Sequence, residues 1–230
     1  MAFITWLGHS CFLLKIDNHS IIIDPWLSNP RSPRKEVNIE SIELVVITHG
    51  HGDHLGEAAD ILKKNRKARA VAIFELANHL VEAEGIEEER VIGGNIGGPI
   101  KTGVGEIKVA LTPANHSSPY GSPTGAVVIG EEAKVYHAGD TGIMSEMQLI
   151  GEIYKPDVAL LPIGGHYTMD HVEAAYAVRM LKPKIAIPMH YGTFPLLYGD
   201  PFEFKRMVEK LSPETKVMIL EPGVEVELNL

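Results

Sequence analysis

The stretch that decides the reading is Leu44-Val45-Val46-Ile47-Thr48-His49-Gly50-His51-Gly52-Asp53-His54, in which an apolar run opens onto four metal-competent side chains within six positions. A short apolar run closed by a glycine-rich turn predicts a buried strand, so His49, His51, Asp53 and His54 project from one strand-to-loop junction. Imidazole nitrogen and carboxylate oxygen together suit zinc, manganese, iron or nickel, and no thiolate narrows the choice. The plain alternative is a polar surface loop that happens to be histidine-rich, but such tracts are themselves metal-binding candidates.

Upstream, three β-rich runs, Phe3 to Leu7, Cys11 to Ile16 and Ser20 to Ile23, are separated by Gly8-His9-Ser10 and Asp17-Asn18-His19 turn signals and predict a meander at a sheet edge. Downstream, a helix near Leu55 to Asn65, a strand Ala70 to Ile73 and a helix near Glu75 to Glu84 predict alternating α/β structure. Further strands are expected at Glu106 to Thr112, Gly125 to Ile129 and Lys134 to His137, followed by strands and helices in alternation to the end. A helix beginning near Asp170 carries a capping box with Glu173. The order strand-rich, α/β, strand-rich, α/β thus occurs twice, and two such halves packed sheet against sheet give a four-layer αββα sandwich. Gly93 to Pro99 reads as a turn between strands, since it lacks the endings of a phosphate-binding loop.

The 230 residues suffice for one full-sized core, and residues 1–230 are read as a single domain. With 45% hydrophobic and 22% charged residues the chain is ordinary globular material. A formal charge of −9 disfavours nucleic acid and anionic membrane surfaces as partners. The one basic cluster, Lys63 to Arg69, reads as the solvated end of a helix. A single cysteine, Cys11, cannot form an intramolecular disulfide, and it alternates with apolar neighbours as a buried small hydrophobe would. Without a signal-like N-terminus or membrane-length apolar run, the expected location is cytoplasmic.

The run His49 to His54 matches the signature H-x-H-x-D-H, and the chain resembles the metallo-β-lactamase superfamily. Other motifs of that family follow in order: Asp24 after Ile21-Ile22-Ile23, His116 in Pro113-Ala114-Asn115-His116-Ser117, Asp140 in His137-Ala138-Gly139-Asp140-Thr141-Gly142, and His190 in Pro188-Met189-His190-Tyr191-Gly192-Thr193. Trp6-Leu7-Gly8-His9-Ser10 and Leu161-Pro162-Ile163-Gly164-Gly165 are similar to phrases of its small prokaryotic "metal-dependent hydrolase" group, related to ascorbate-phosphate lactonases. The resemblance implies a dinuclear centre of divalent ions, zinc first, with manganese, nickel or iron as alternatives. It implies that His49, His51 and His116 hold one ion, that Asp53, His54 and His190 hold the other, and that Asp140 bridges them. Asp24 is then expected to orient a ligand imidazole. The implied reaction is attack of a bridging hydroxide on a small lactone, ester or phosphoester, with Asp53 relaying a proton.

Several residues remain open on the sequence alone. His9 and His166 are candidates for lining the catalytic site beside Asp53 and Asp140. Tyr191 and Thr193 could donate to a developing oxyanion, or Tyr191 could simply pack. His137 reads as a packed strand residue, His171 as the start of a helix, and His19 and His79 as surface residues. The segment Ser117 to Thr124 is short for a substrate-binding loop. An iron-dependent oxidoreductase on the same fold is the competing function, although His51 stands where the electron-transfer members carry Glu. A binding protein that merely keeps the fold has no use for all seven ligands. The expected partner is a small-molecule substrate, and the resemblance permits a homo-oligomer.

Overall fold

The chain builds two mixed seven-stranded sheets that face each other, each covered outside by helices. The computed structural model describes residues 1–33 and 37–230. The first sheet opens with an antiparallel meander, β1 (Phe3–Trp6), β2 (Phe12–Ile16) and β3 (His19–Ile23). Parallel strands β4 (Leu44–Val46), β5 (Arg69–Ile73) and β6 (Val91–Gly94) extend it. Between them lie α1 (Gly52–Leu55), α2 (Ala58–Lys64) and α3 (Phe74–Glu82).

The second sheet repeats the plan. Its antiparallel part is β7 (Ile100–Lys101), β8 (Lys108–Pro113), β9 (Thr124–Ile129) and β10 (Lys134–His137). After α4 (Glu146–Tyr154) come β11 (Val158–Pro162), α5 (His171–Leu181), β12 (Ile185–Met189), α6 (Pro201–Leu211) and β13 (Lys216–Val217), with the strands parallel. A last strand, β14 (Glu225–Glu227), crosses back and pairs with β1, Phe3 opposite Glu227. The strand orders are therefore β14-β1-β2-β3-β4-β5-β6 and β13-β12-β11-β10-β9-β8-β7. This is the αββα sandwich expected from the alternation, with one difference: β14, not β1, forms the edge.

The central strands are buried on both faces, which is why Ile21-Ile22-Ile23 and Leu44-Val45-Val46 read as unbroken apolar runs rather than alternating ones. One continuous hydrophobic cluster includes residues of both sheets. The glycine stretch divides differently from its reading as a turn. Gly93 and Gly94 belong to β6, and only residues 95–99 cross from one sheet to the other. The basic cluster also divides: Lys63 and Lys64 end α2, whereas Arg69 starts β5 half-buried. Asp170 caps α5 by accepting from the N–H groups of Val172 and Glu173, each at 2.9 Å. No helix among the described residues is long and apolar enough to cross a membrane.

Candidate metal centre

The site lies where loops leave the ends of the central strands of both sheets. β4 stops at Val46, and the sheet pattern continues as far as Ile47, whose N–H donates to the Val71 carbonyl at 3.0 Å. Thr48 then meets the other sheet: its carbonyl accepts from the Thr124 N–H at 3.1 Å and the Thr124 hydroxyl at 2.8 Å. Gly50 lets the chain pass beneath Tyr120, because a Cβ there would come within 2.6 Å of that ring. The single turn of α1 then directs Asp53 and His54 toward the same hollow.

Two groups of donors result. His49, His51 and His116 form the first, with His49 Nε2 only 2.9 Å from His51 Nδ1. Asp53, His54 and His190 form the second, joined by His9. Asp140 stands between the groups. Its Oδ1 is 3.2 Å from His54 Nε2, and its Oδ2 lies 3.1 Å from His190 Nε2 and 3.6 Å from His116 Nε2. His54 Nε2 and Asp140 Oδ1 are buried and close, yet neither makes a hydrogen bond. Buried imidazole and carboxylate ligand atoms that converge without hydrogen-bond partners are what a cation would satisfy, so the donor set fits a metal.

Behind these residues the support is dense. The His54 Nδ1–H donates to Asp24 Oδ2 at 2.6 Å, which turns the Nε2 edge of the ring toward Asp140. Asp24 is fully buried and also accepts from the Thr48 N–H (2.8 Å) and hydroxyl (2.7 Å). His9 Nε2 lies 3.2 Å from Asp53 Oδ2, and its Nδ1 lies 3.0 Å from the Thr193 hydroxyl. A carboxylate needs a donor opposite it, so the neutral ring carries its proton on Nε2 and Thr193 donates to Nδ1. Three non-glycine residues here, His9, Asp24 and His190, hold left-handed backbone conformations (φ 52°, 47° and 57°). Such strain is retained where the surroundings over-determine it, commonly at functional sites.

The electrostatics follow from burial and mutual proximity. Desolvation drives the imidazoles of His9 and His49 down to about 4 and about 3, so both are neutral with a lone pair available. His116 shifts downward for the same reason. Burial also opposes charge on His54, but Asp140 and Asp24 on either side overcome it and hold the ring protonated well above the usual range. Burial would raise the carboxyls of Asp53 and Asp140, but neighbouring histidines outweigh it and keep both anionic.

The seven metal-ligand candidates, His49, His51, Asp53, His54, His116, Asp140 and His190, are therefore brought together, with His9 directly behind Asp53. His166 is not. It is exposed, with a left-handed backbone (φ 59°), and its ring packs edge-on against Tyr167, which lines the pocket instead. Tyr191 takes the packing alternative, stacked on Trp6 at 5.3 Å beneath the Arg31 guanidinium, and Thr193 serves His9. His137 is a buried strand residue bonded to the Ser10 carbonyl, His171 opens α5, and Cys11 is buried. His19 and His79, read as surface residues, are half-buried: His19 pairs with Glu43, and His79 stacks on Tyr120 at 4.0 Å. The short segment after His116 is thus used to cover Gly50.

The mouth is a pocket of about 760 Å³ lined by the polar residues His51, Asp53, His116, Ser117, Asp140 and His190 and by Tyr167, Phe194, Pro195 and Leu196. Sequence reasoning missed this apolar wall. Its only signal was Phe194-Pro195-Leu196-Leu197, an apolar run in a loop directly after the His190 motif.

Comparison with known proteins agrees with this architecture. Residues 19–191 match the sequence profile of the Beta-lactamase superfamily domain. A UPF0173 metal-dependent hydrolase of Hyperthermus butylicus is 50% identical, over 97% of this chain and 98% of its own. One of Aeropyrum pernix is 53% identical, over 100% and 98%. The structure of Igni18, a metallo hydrolase from Ignicoccus hospitalis, superposes with a TM-score of 0.88 at 45% identity, covering 99% of each chain. The chain belongs to the beta-lactamase superfamily, among its metal-dependent hydrolases.

Proposed function

We propose that the protein hydrolyses a small ester or lactone at a centre of two divalent ions, one held by His49, His51 and His116 and the other by Asp53, His54 and His190. Asp140 would serve both. Zinc is the first candidate, with manganese, nickel or iron as alternatives. The observation that carries this reading is the Asp140 carboxylate, which lies within 3.6 Å of an imidazole nitrogen from each group.

Ions so held would lower the pKa of a water shared between them and polarise a carbonyl group, making its carbon more electrophilic. The chain's own residues supply the rest. His49 and His116 are neutral and present lone pairs. Asp24 fixes the His54 tautomer, and His9 engages one oxygen of Asp53, leaving the other for the pocket. Asp53 is the carboxylate at the pocket wall that would take the proton released by the attacking water and pass it to the leaving alkoxide. Phe194, Pro195 and Leu196 offer apolar contact to a substrate bound beside these groups.

Elemental mass spectrometry on protein purified without chelator tests the reading. About two zinc, manganese or nickel ions per chain, falling to one or none in Asp140→Ala together with ester hydrolysis, is the expected result. Full metal content and activity in Asp140→Ala would refute the shared role of that carboxylate, and iron as the dominant metal would favour oxidative chemistry.

A further inference from the structure

The pocket beside the donors is also lined by apolar side chains that stand in the open, which calls for an explanation. Leu196 is 52% exposed and Tyr167 50% exposed, although both sit at the mouth of a polar site. Neither is on a loosely held segment. The turn carrying Leu196 is closed by the Leu197 N–H donating to the Phe194 carbonyl at 3.0 Å, and Leu197 itself is buried as an anchor. Phe194 stacks on Trp26, with ring centroids 5.8 Å apart and planes at 24°, and meets the edge of His9 at 5.5 Å. On the other side, Tyr167 belongs to a hairpin fixed where the Met169 N–H donates to the Thr141 carbonyl at 2.9 Å and the Gly165 N–H to the Met169 carbonyl at 2.9 Å.

The charge pattern points the same way. None of the described residues lining the pocket is Lys or Arg. Arg31, a nearby cation, donates to the Tyr191 carbonyl at 3.0 Å and lies over the rings of Trp6 and Tyr191. Sites that bind phosphate esters surround the anion with charge-assisted donors, Arg above all. The volume, about 760 Å³, is that of a site for a whole small molecule rather than a water and an acetyl group.

We propose that Phe194, Leu196 and Tyr167 form an acyl-chain subsite, so that the preferred substrate is an uncharged carboxylic ester or lactone with an extended apolar chain. This rests on the hydrolytic reading above. In the reaction, water adds to the acyl carbon and the acyl C–O bond breaks. The oxygen of the departing alcohol takes the proton, giving one carboxylic acid and one alcohol, or a hydroxy acid from a lactone.

The test uses zinc-loaded full-length protein with p-nitrophenyl acetate, butyrate and hexanoate, and with p-nitrophenyl phosphate. Burial of each added methylene is worth up to about fourfold, so kcat/KM should rise by about tenfold from acetate to butyrate and again toward hexanoate. Leu196→Ser, at an exposed position that leaves the core intact, should lower the hexanoate-to-acetate ratio by about fivefold or more. Calorimetry adds a readout free of turnover: hexanohydroxamate should bind up to about a hundredfold tighter than acetohydroxamate, and Leu196→Ser should cut that preference by about fivefold or more. A flat chain-length profile, equal hydroxamate affinities or a preference for p-nitrophenyl phosphate would overturn the subsite. Chain-selective hydroxamate binding without hydrolysis of any ester would instead keep the subsite and overturn the hydrolytic reading.

Discussion

Asp24 never reaches the pocket, yet it has the most exacting position around the site. Fully buried, it accepts three hydrogen bonds, two from Thr48 and one from His54. Replacing it by Asn puts an amide donor among donors and releases the His54 tautomer. Asp24→Asn is expected to weaken metal binding about 10- to 100-fold, as measured by chelator competition, with the far-ultraviolet circular dichroism unchanged. The buried imidazoles also predict an acid response. In the unfolded chain His9 and His49 take up protons near pH 6.5, but in the folded protein they resist until about 4 and about 3. Near pH 5 the unfolded state therefore binds more protons, so the chelated protein loses stability as pH falls from about 6.5 toward 4. His54 is protonated in both states there and cancels. Urea midpoints across that range check the sign, and a midpoint that rises in acid would contradict it. At this scale the sequence was most informative about ligands, because H-x-H-x-D-H packs them into one loop. It was mute on His166 against Tyr167, since which neighbour faces the pocket depends on a left-handed backbone at His166 that no local pattern announces.

Between elements, the critical seam is the approach of the two sheets at the loop ends. Gly139 has φ 63°, and a Cβ there would lie 2.5 Å from the Thr124 carbonyl oxygen and 3.1 Å from Thr48 Cβ. Gly139→Ala should force Thr48 and Thr124 apart and displace Asp140 next door, so loss of metal content is expected to exceed the loss of stability. Metal analysis alongside thermal denaturation separates the two. At α5 the cap is simpler: Asp170→Ala should cost about 1 kcal/mol by urea denaturation, since two N–H groups lose their acceptor. The strands and helices were legible because their apolar runs are long and their turns rich in glycine. The placement of Gly93 and Gly94 in β6 was not, because a glycine inside a strand looks locally like a turn. The pairing of β14 with β1 was equally hidden, since it joins residues more than 200 positions apart.

Taken whole, the molecule draws its donors from both halves: His9, His49, His51, Asp53 and His54 from the first sheet's connections, His116, Asp140 and His190 from the second's. Bound ions would stabilise only the assembled state, by about 4 kcal/mol at a thousandfold excess over Kd. For a chain of this size that corresponds to a fall in Tm of about 10 °C on chelation, measurable by calorimetry with and without EDTA. A Tm unmoved by EDTA in a metal-replete sample would argue against ligands from both sheets. The division of donors also sets an order in time. Neither half alone can present a complete coordination shell to an ion, so capture must trail the docking of one sheet on the other. In refolding followed with cobalt as a coloured substitute, the visible absorption should therefore be the last signal to appear, making the metal a clock for the final step of folding.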